Sequence, residues 1–202
     1  MSHEPPMAYA MVAPGPVFRS GLPTRNKCAL CLLEKVSRTS LNASLSRARS
    51  HAFLERLRLR TMIYLTETES VQPLEKEQAS YDEMLAWLDS CGTRLIPCAV
   101  PACKEPFLTP DAEHVARALR VIVDPSQHPV LVCSVRGDNP VSLVVGLLRR
   151  LQRWSLTSIF DEYRRFSPTP SLLDMQYIEL FDLAAVERSS AEEEGPPSAA
   201  PV

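Results

Sequence analysis

What the chain lacks narrows the field first. It has no excess of basic charge: Lys+Arg 22 stand against Asp+Glu 24, for a formal net charge of -2. There is therefore no broad electropositive face of the kind that draws nucleic acid or an anionic membrane, and affinity for an anion has to come from a local site. No apolar run approaches the ~20 residues of a membrane span. The first residues, Met1 to Pro16, are proline-rich and lack the charged start and hydrophobic stretch of an export signal. A cytoplasmic protein that binds neither membrane nor nucleic acid is the expectation. Among the six cysteines, Cys28 and Cys31 have metal or redox spacing, but no second pair and no His-x3-His completes a ligand set, and no strand leads into them. No metal and no cofactor is expected, and without an export signal the thiols read as reduced and the sequon Asn42-Ala-Ser44 as unused.

What is present is enough apolar material for one core, 45% of 202 residues. Three β-rich runs, Thr61 to Thr66, Arg94 to Val100 and His128 to Cys133, read as neighbouring buried strands. Helical periodicity fills the gaps, over Leu74 to Ser90 and over Asp111 to Val123, where Val115, Ala118, Leu119 and Ile122 share a face. Strands alternating with helices predict an α/β domain with a mostly parallel central sheet flanked by helices. Three more helices are expected. Val141 to Trp154 carries a core face of Leu143, Val144, Leu147, Leu148 and Leu151; Leu156 to Phe166 has Thr157 and Ser158 as candidate caps; Ser171 to Leu183 has Ser171 and Asp174 in a capping-box pattern. Trp154 and Phe160 are expected in the core, and His51 and His114 in structural or solvated roles.

The expected organisation is a flexible start over 1–14, a domain over 15–185 and an acidic, Pro-rich disordered tail over 186–202. Within the domain, 27–50 fits poorly. It carries five basic residues and a single glutamate, with no sustained period, and reads as an insertion.

The third strand passes through Val132-Cys133-Ser134-Val135-Arg136-Gly137-Asp138-Asn139-Pro140 into a helix. A strand, a short loop and a helix N-terminus aim several backbone N–H groups and the positive end of the helix dipole at one point, which makes an anion site. Here the sequence resembles the plant and fungal atypical dual-specificity phosphatases, whose fungal members include enzymes that cleave inositol pyrophosphates. The markers are Val17-Phe-Arg-Ser-Gly-Leu-Pro-Thr24, Leu59-Arg-Thr-Met-Ile-Tyr-Leu65, Lys104-Glu-Pro-Phe107, His128-Pro-Val-Leu131 and the run from Leu151 through Trp154 to Phe166. The resemblance covers Pro16 to Asn26 and Phe53 to Asp182 and implies a cysteine-phosphatase fold; the family passes almost directly from Asn26 to Phe53, so 27–50 is extra.

In active members of that family the loop reads His-Cys, five residues, Arg. The cysteine attacks phosphorus and the arginine clamps the equatorial oxygens. Counting without gaps from His128-Pro129 to Gly146 and Trp154 puts Cys133 at the histidine, Ser134 at the nucleophile and Pro140 at the arginine; Gly137 keeps the loop glycine and Arg136 a common basic position. In the other register Cys133 is the nucleophile and Asn139 falls at the arginine. Neither register supplies the clamp. A serine hydroxyl without an adjacent base is a poor nucleophile, Pro140 has no N–H, and Asp138 adds negative charge beside an incoming phosphate. The resemblance also implies that Lys104 and Glu105 face the site. The expected function is a pseudophosphatase that binds or regulates partners, related phosphatases among them, in signalling or stress response. The alternatives are an active phosphatase on phosphotyrosine or inositol pyrophosphates through Cys133, and a non-hydrolysing inositol phosphate sensor using Arg136 and Lys104.

Overall fold

The computed structural model describes residues 5–12, 15–22, 50–66, 75–104 and 108–188. Cys28, Cys31, the Asn42 sequon, Glu105, the tail from 189 and all of 27–50 except Ser50 lie outside the described residues. The described strands are β1 (Ala10–Val12), β2 (Val17–Gly21), β3 (Thr61–Thr66), β4 (Arg94–Ala99) and β5 (Val130–Ser134). They form one sheet in the order β1-β2-β5-β3-β4, with β2, β5, β3 and β4 parallel and β1 antiparallel on the edge. This is the mostly parallel α/β sheet the sequence predicts. β4 is the other edge, which is where a strand tolerates Pro97 with its missing N–H.

Besides a helical run over 50–55, the described helices are α1 (Glu75–Cys91), α2 (Ala112–Val123), α3 (Asn139–Leu151), α4 (Leu156–Phe166), α5 (Leu172–Leu180) and the short α6 (Ala184–Arg188). Strand alternation divides the core in two. Ile63, Leu65, Val130 and Val132 face the side packed with residues of α2, α3, α4 and α5, while Met62, Tyr64, Leu131 and Cys133 face Leu54, Leu59, Met84, Trp87 and Leu88. Asp111 caps α2 by accepting from the Glu113 N–H at 2.8 Å.

Several expectations are corrected. Residues 10–12 of the expected flexible start are a strand, because Val12 buries its side chain under the sheet edge. At the other end order continues to Arg188, with Val186 buried in the core. The cap of α4 is Ser155, whose Oγ accepts from the Ser158 N–H, rather than Thr157 or Ser158. The helix after the loop stops at Leu151 and Arg153 turns to positive φ, so Trp154 leaves the core, 43% exposed, and stacks under the Arg149 guanidinium at 4.2 Å. Phe160 does pack against the core, partly buried. His51 lies flat against the Trp87 ring, centroids 4.7 Å apart. No described helix is long and apolar enough to cross a membrane.

Candidate functional site: the loop between β5 and α3

β5 is central, flanked by β2 and β3, and ends with Ser134 level with Gly21 of β2 and Leu65 of β3. Residues 135–138 then pass into α3, so the loop emerges at the carboxyl ends of the parallel strands, where open α/β sheets bind ligands. Gly137 fixes its shape. It sits at φ 75°, and a Cβ there would come within 2.3 Å of the Gly21 backbone nitrogen. The partner position is as tight, since a Cβ on Gly21 would lie 2.8 Å from the Arg136 carbonyl oxygen. Two glycines from distant segments thus let loop and β2 touch backbone to backbone.

Because side chains alternate along β5, Cys133 and Ser134 point to opposite faces. Cys133 is 0% exposed, among Phe18, Met62, Tyr64, Met84 and Leu131, and burial pushes its thiol well above the usual range. Ser134 turns toward the loop, and its Oγ accepts the Gly137 N–H at 3.0 Å. Pro140 is buried in the first turn of α3. Asp138 stands at the N-cap of α3 without a side-chain capping bond, and the Ser142 N–H donates to its carbonyl at 2.9 Å. Arg136 projects to solvent.

The structure therefore gathers Ser134, Arg136, Gly137, Asp138 and Pro140 on one loop and sends Cys133 into the core behind it. Lys104 is exposed and bridged to Leu108 in an antiparallel pair, on the rim of a mainly apolar cleft of ≈ 890 Å³ whose lining includes no residue of the loop. Among the described residues no cluster of three or more His, Cys, Asp or Glu has the geometry for a metal ion.

The chain matches the model of the tyrosine phosphatase family over residues 33–198, most of its length. It belongs to that family. The match begins inside 27–50, the segment expected to be extra. Among curated relatives, inositol diphosphatase DSP1 of Oryza sativa subsp. japonica is 34% identical over 188 residues, 93% of this chain and 69% of that one. The solved structure of the Siw14 catalytic core is 29% identical with a TM-score of 0.69, covering 98% of each chain. The core catalytic domain of the PP-IP phosphatase SIW14 from S. cerevisiae, solved with citrate, is 27% identical with a TM-score of 0.67, covering 95% of this chain and 96% of that one.

Two further buried polar residues, Arg19 beside the loop and Asp174, escaped the sequence reading. Arg19 of β2 is 0% exposed, its Nη2 donating to Ser142 Oγ at 2.7 Å and to the Gly137 carbonyl at 3.4 Å. Asp174, read as half of a capping box, instead gives its carboxylate to distant donors: the Cys103 N–H at 3.2 Å and the Tyr163 hydroxyl at 2.6 Å. Only the Ser171 half of the box forms, Oγ accepting the Asp174 N–H. Asp174 in turn raises the Cys103 thiol, already pushed up by burial, to about 12. Arg19 lies in a segment with neither alternation nor an apolar run, and the partners of Asp174 lie 71 and 11 residues away, so neither role left a sign in the sequence.

Proposed function

We propose that the protein is a phosphatase-family binding protein whose loop holds a phosphorylated ligand or partner without turning it over. The observation that carries this reading is the division of labour at the end of β5: the thiol of Cys133 is enclosed in apolar side chains, and the side chain at the loop is the Ser134 hydroxyl. A hydroxyl with no base beside it stays protonated at neutral pH. Pro140 in the helix's first turn offers neither guanidinium nor N–H, and loss of a charge-stabilising arginine costs on the order of 10³–10⁵ in phosphoryl transfer. On this reading Ser134 and Pro140 mark the substituted nucleophile and arginine positions, and Arg136, Gly137 and Asp138 line the anion loop. An inositol phosphate is the ligand class that the relatives' names favour, with related phosphatases as candidate partners in the cytoplasm.

A second reading is favoured by those same names, since DSP1 and SIW14 are inositol diphosphatase and PP-IP phosphatase. In it Cys133 is the nucleophile and the protein cleaves inositol pyrophosphates or phosphotyrosine. That requires the thiol to leave its apolar cluster and ionise. Turnover of an aryl phosphate and an inositol pyrophosphate by the wild type and by Ser134→Cys/Pro140→Arg separates the two. The binding reading expects a silent wild type and activity in the repaired loop; a fast wild type unaffected or slowed by the repair would refute it.

A further inference from the structure

Next to the loop lies a buried cation that, among the described residues, has no carboxylate in hydrogen-bonding contact. Of the hydrogen-bonding nitrogens of Arg19, Nη2 meets a neutral hydroxyl and a carbonyl, whereas Nε and Nη1 have no hydrogen-bond partner. Its guanidinium lies 3.9 Å over the Phe166 ring, which is attraction without charge neutralisation. Desolvation lowers its pKa to about 10; the nearest carboxylate named among its influences, Glu162, is itself held by Arg149 at 2.7 Å and offsets this only in part. Burying an unpaired charge is costly, and apolar packing at such a site is ordinarily as stable or better. The core gives no reason for a cation here.

The direction of one peptide supplies a reason. In a trans peptide the C=O and the following N–H point opposite ways. The Gly137 carbonyl is turned to Arg19 Nη2, so the Asp138 N–H is turned away from Arg19, toward the far side of the loop. Ser142, the hydroxyl partner of the same Nη2, sits in the first turn of α3, so one guanidinium ties the loop to the helix N-terminus behind it. That N-terminus carries its own positive potential, to which the Asp138 side chain makes no capping hydrogen bond.

We infer that Arg19 positions and charges the loop from beneath: it turns the Asp138 N–H outward and supplies the positive potential that Pro140 cannot, so that the loop holds a phosphoryl dianion without a guanidinium clamp. The inference rests on the reading that the loop binds such a group without cleaving it. Arg19 acts through the loop and does not touch the ligand, which makes it a positioning residue. Its charge is the necessary property, and the shape of its side chain matters less.

The test is calorimetry of the full chain with inorganic phosphate and with inositol hexakisphosphate, on wild type, Arg19→Lys and Arg19→Met, each checked for folding by circular dichroism. Arg19→Met should lose about tenfold or more in affinity while Arg19→Lys stays within about threefold of wild type. ³¹P titration adds a reading that a packing role would not move: bound phosphate should deprotonate at lower pH in wild type and Arg19→Lys than in Arg19→Met. Affinity unchanged in a folded Arg19→Met overturns the inference and leaves the binding reading standing. A wild type that binds neither probe overturns both. Should Arg19→Met fail to fold, the Arg19 Nε–H resonance of the wild type decides, since saturation with phosphate should shift it and an unmoved resonance refutes the role.

Discussion

Replacing Gly137 by alanine should cost far more than the loss of a glycine usually does. Two penalties apply together. A non-glycine residue in the left-handed region costs about 1–2 kcal/mol, and at φ 75° Gly137 is there. The new Cβ would also meet backbone only: the Gly21 nitrogen at 2.3 Å, the Ser20 carbonyl carbon at 2.6 Å and the Gly21 Cα at 2.7 Å. Those atoms belong to or adjoin β2, held between β1 and β5, and cannot swing aside as a side-chain tip would. Overpacking of a fixed site costs about 1–3 kcal/mol, so the sum is roughly 2–5 kcal/mol, or loss of the loop's shape. The control is Gly92→Ala, whose φ of 64° is similar but whose Cβ would meet nothing within 4 Å. It should lose only the conformational part, about 1–2 kcal/mol. Urea unfolding followed by the fluorescence of buried Trp87 gives both numbers. Equal losses in the two variants would refute the claim that loop and β2 are in backbone contact.

Further outcomes follow from the buried groups. Among the described cysteines, alkylation mapped by mass spectrometry should label exposed Cys91 first and leave Cys133 unlabelled until the chain unfolds. The thiols of Cys133 and Cys103 are both raised by folding, so below the ordinary value near 9 they are protonated in both states, and above it the unfolded chain ionises first. Stability should therefore be at its full value up to about pH 9 and fall as pH rises beyond it; denaturant midpoints at pH 7, 9 and 10 check the sign. Asp174→Asn places an amide among the donors Cys103 N–H and Tyr163 O–H and should cost about 1–3 kcal/mol, with Tyr163→Phe costing less, by thermal unfolding. Trp154→Ala, at a surface site, should stay within about 1 kcal/mol of wild type.

The interior strand β3 was legible to the residue, because Thr61–Thr66 is a β-branched and apolar run, buried throughout. α2 was legible over Asp111 to Val123, since the spacing of Val115, Ala118, Leu119 and Ile122 marks one periodic face, whereas the capping role of Asp111 came from the structure. β2 was visible only as a family marker: five residues long, fully buried and interrupted by Arg19, it has neither alternation nor an apolar run. Arg19 itself reads like any surface arginine until the fold closes over it. The opposite happened at Trp154, where an apolar residue in helical register was carried out of the core by the turn at Arg153. The loop's register came from an ungapped count, whereas the opposite facing of Cys133 and Ser134 became visible only with the strand's extent.

Steady-state hydrolysis of an inositol pyrophosphate by wild type and Cys133→Ser, measured side by side at pH 7, bears most directly on the claim that the loop binds without cleaving. The account predicts no release of phosphate above the blank from either protein. Rapid release by the wild type that disappears in a folded Cys133→Ser would contradict it.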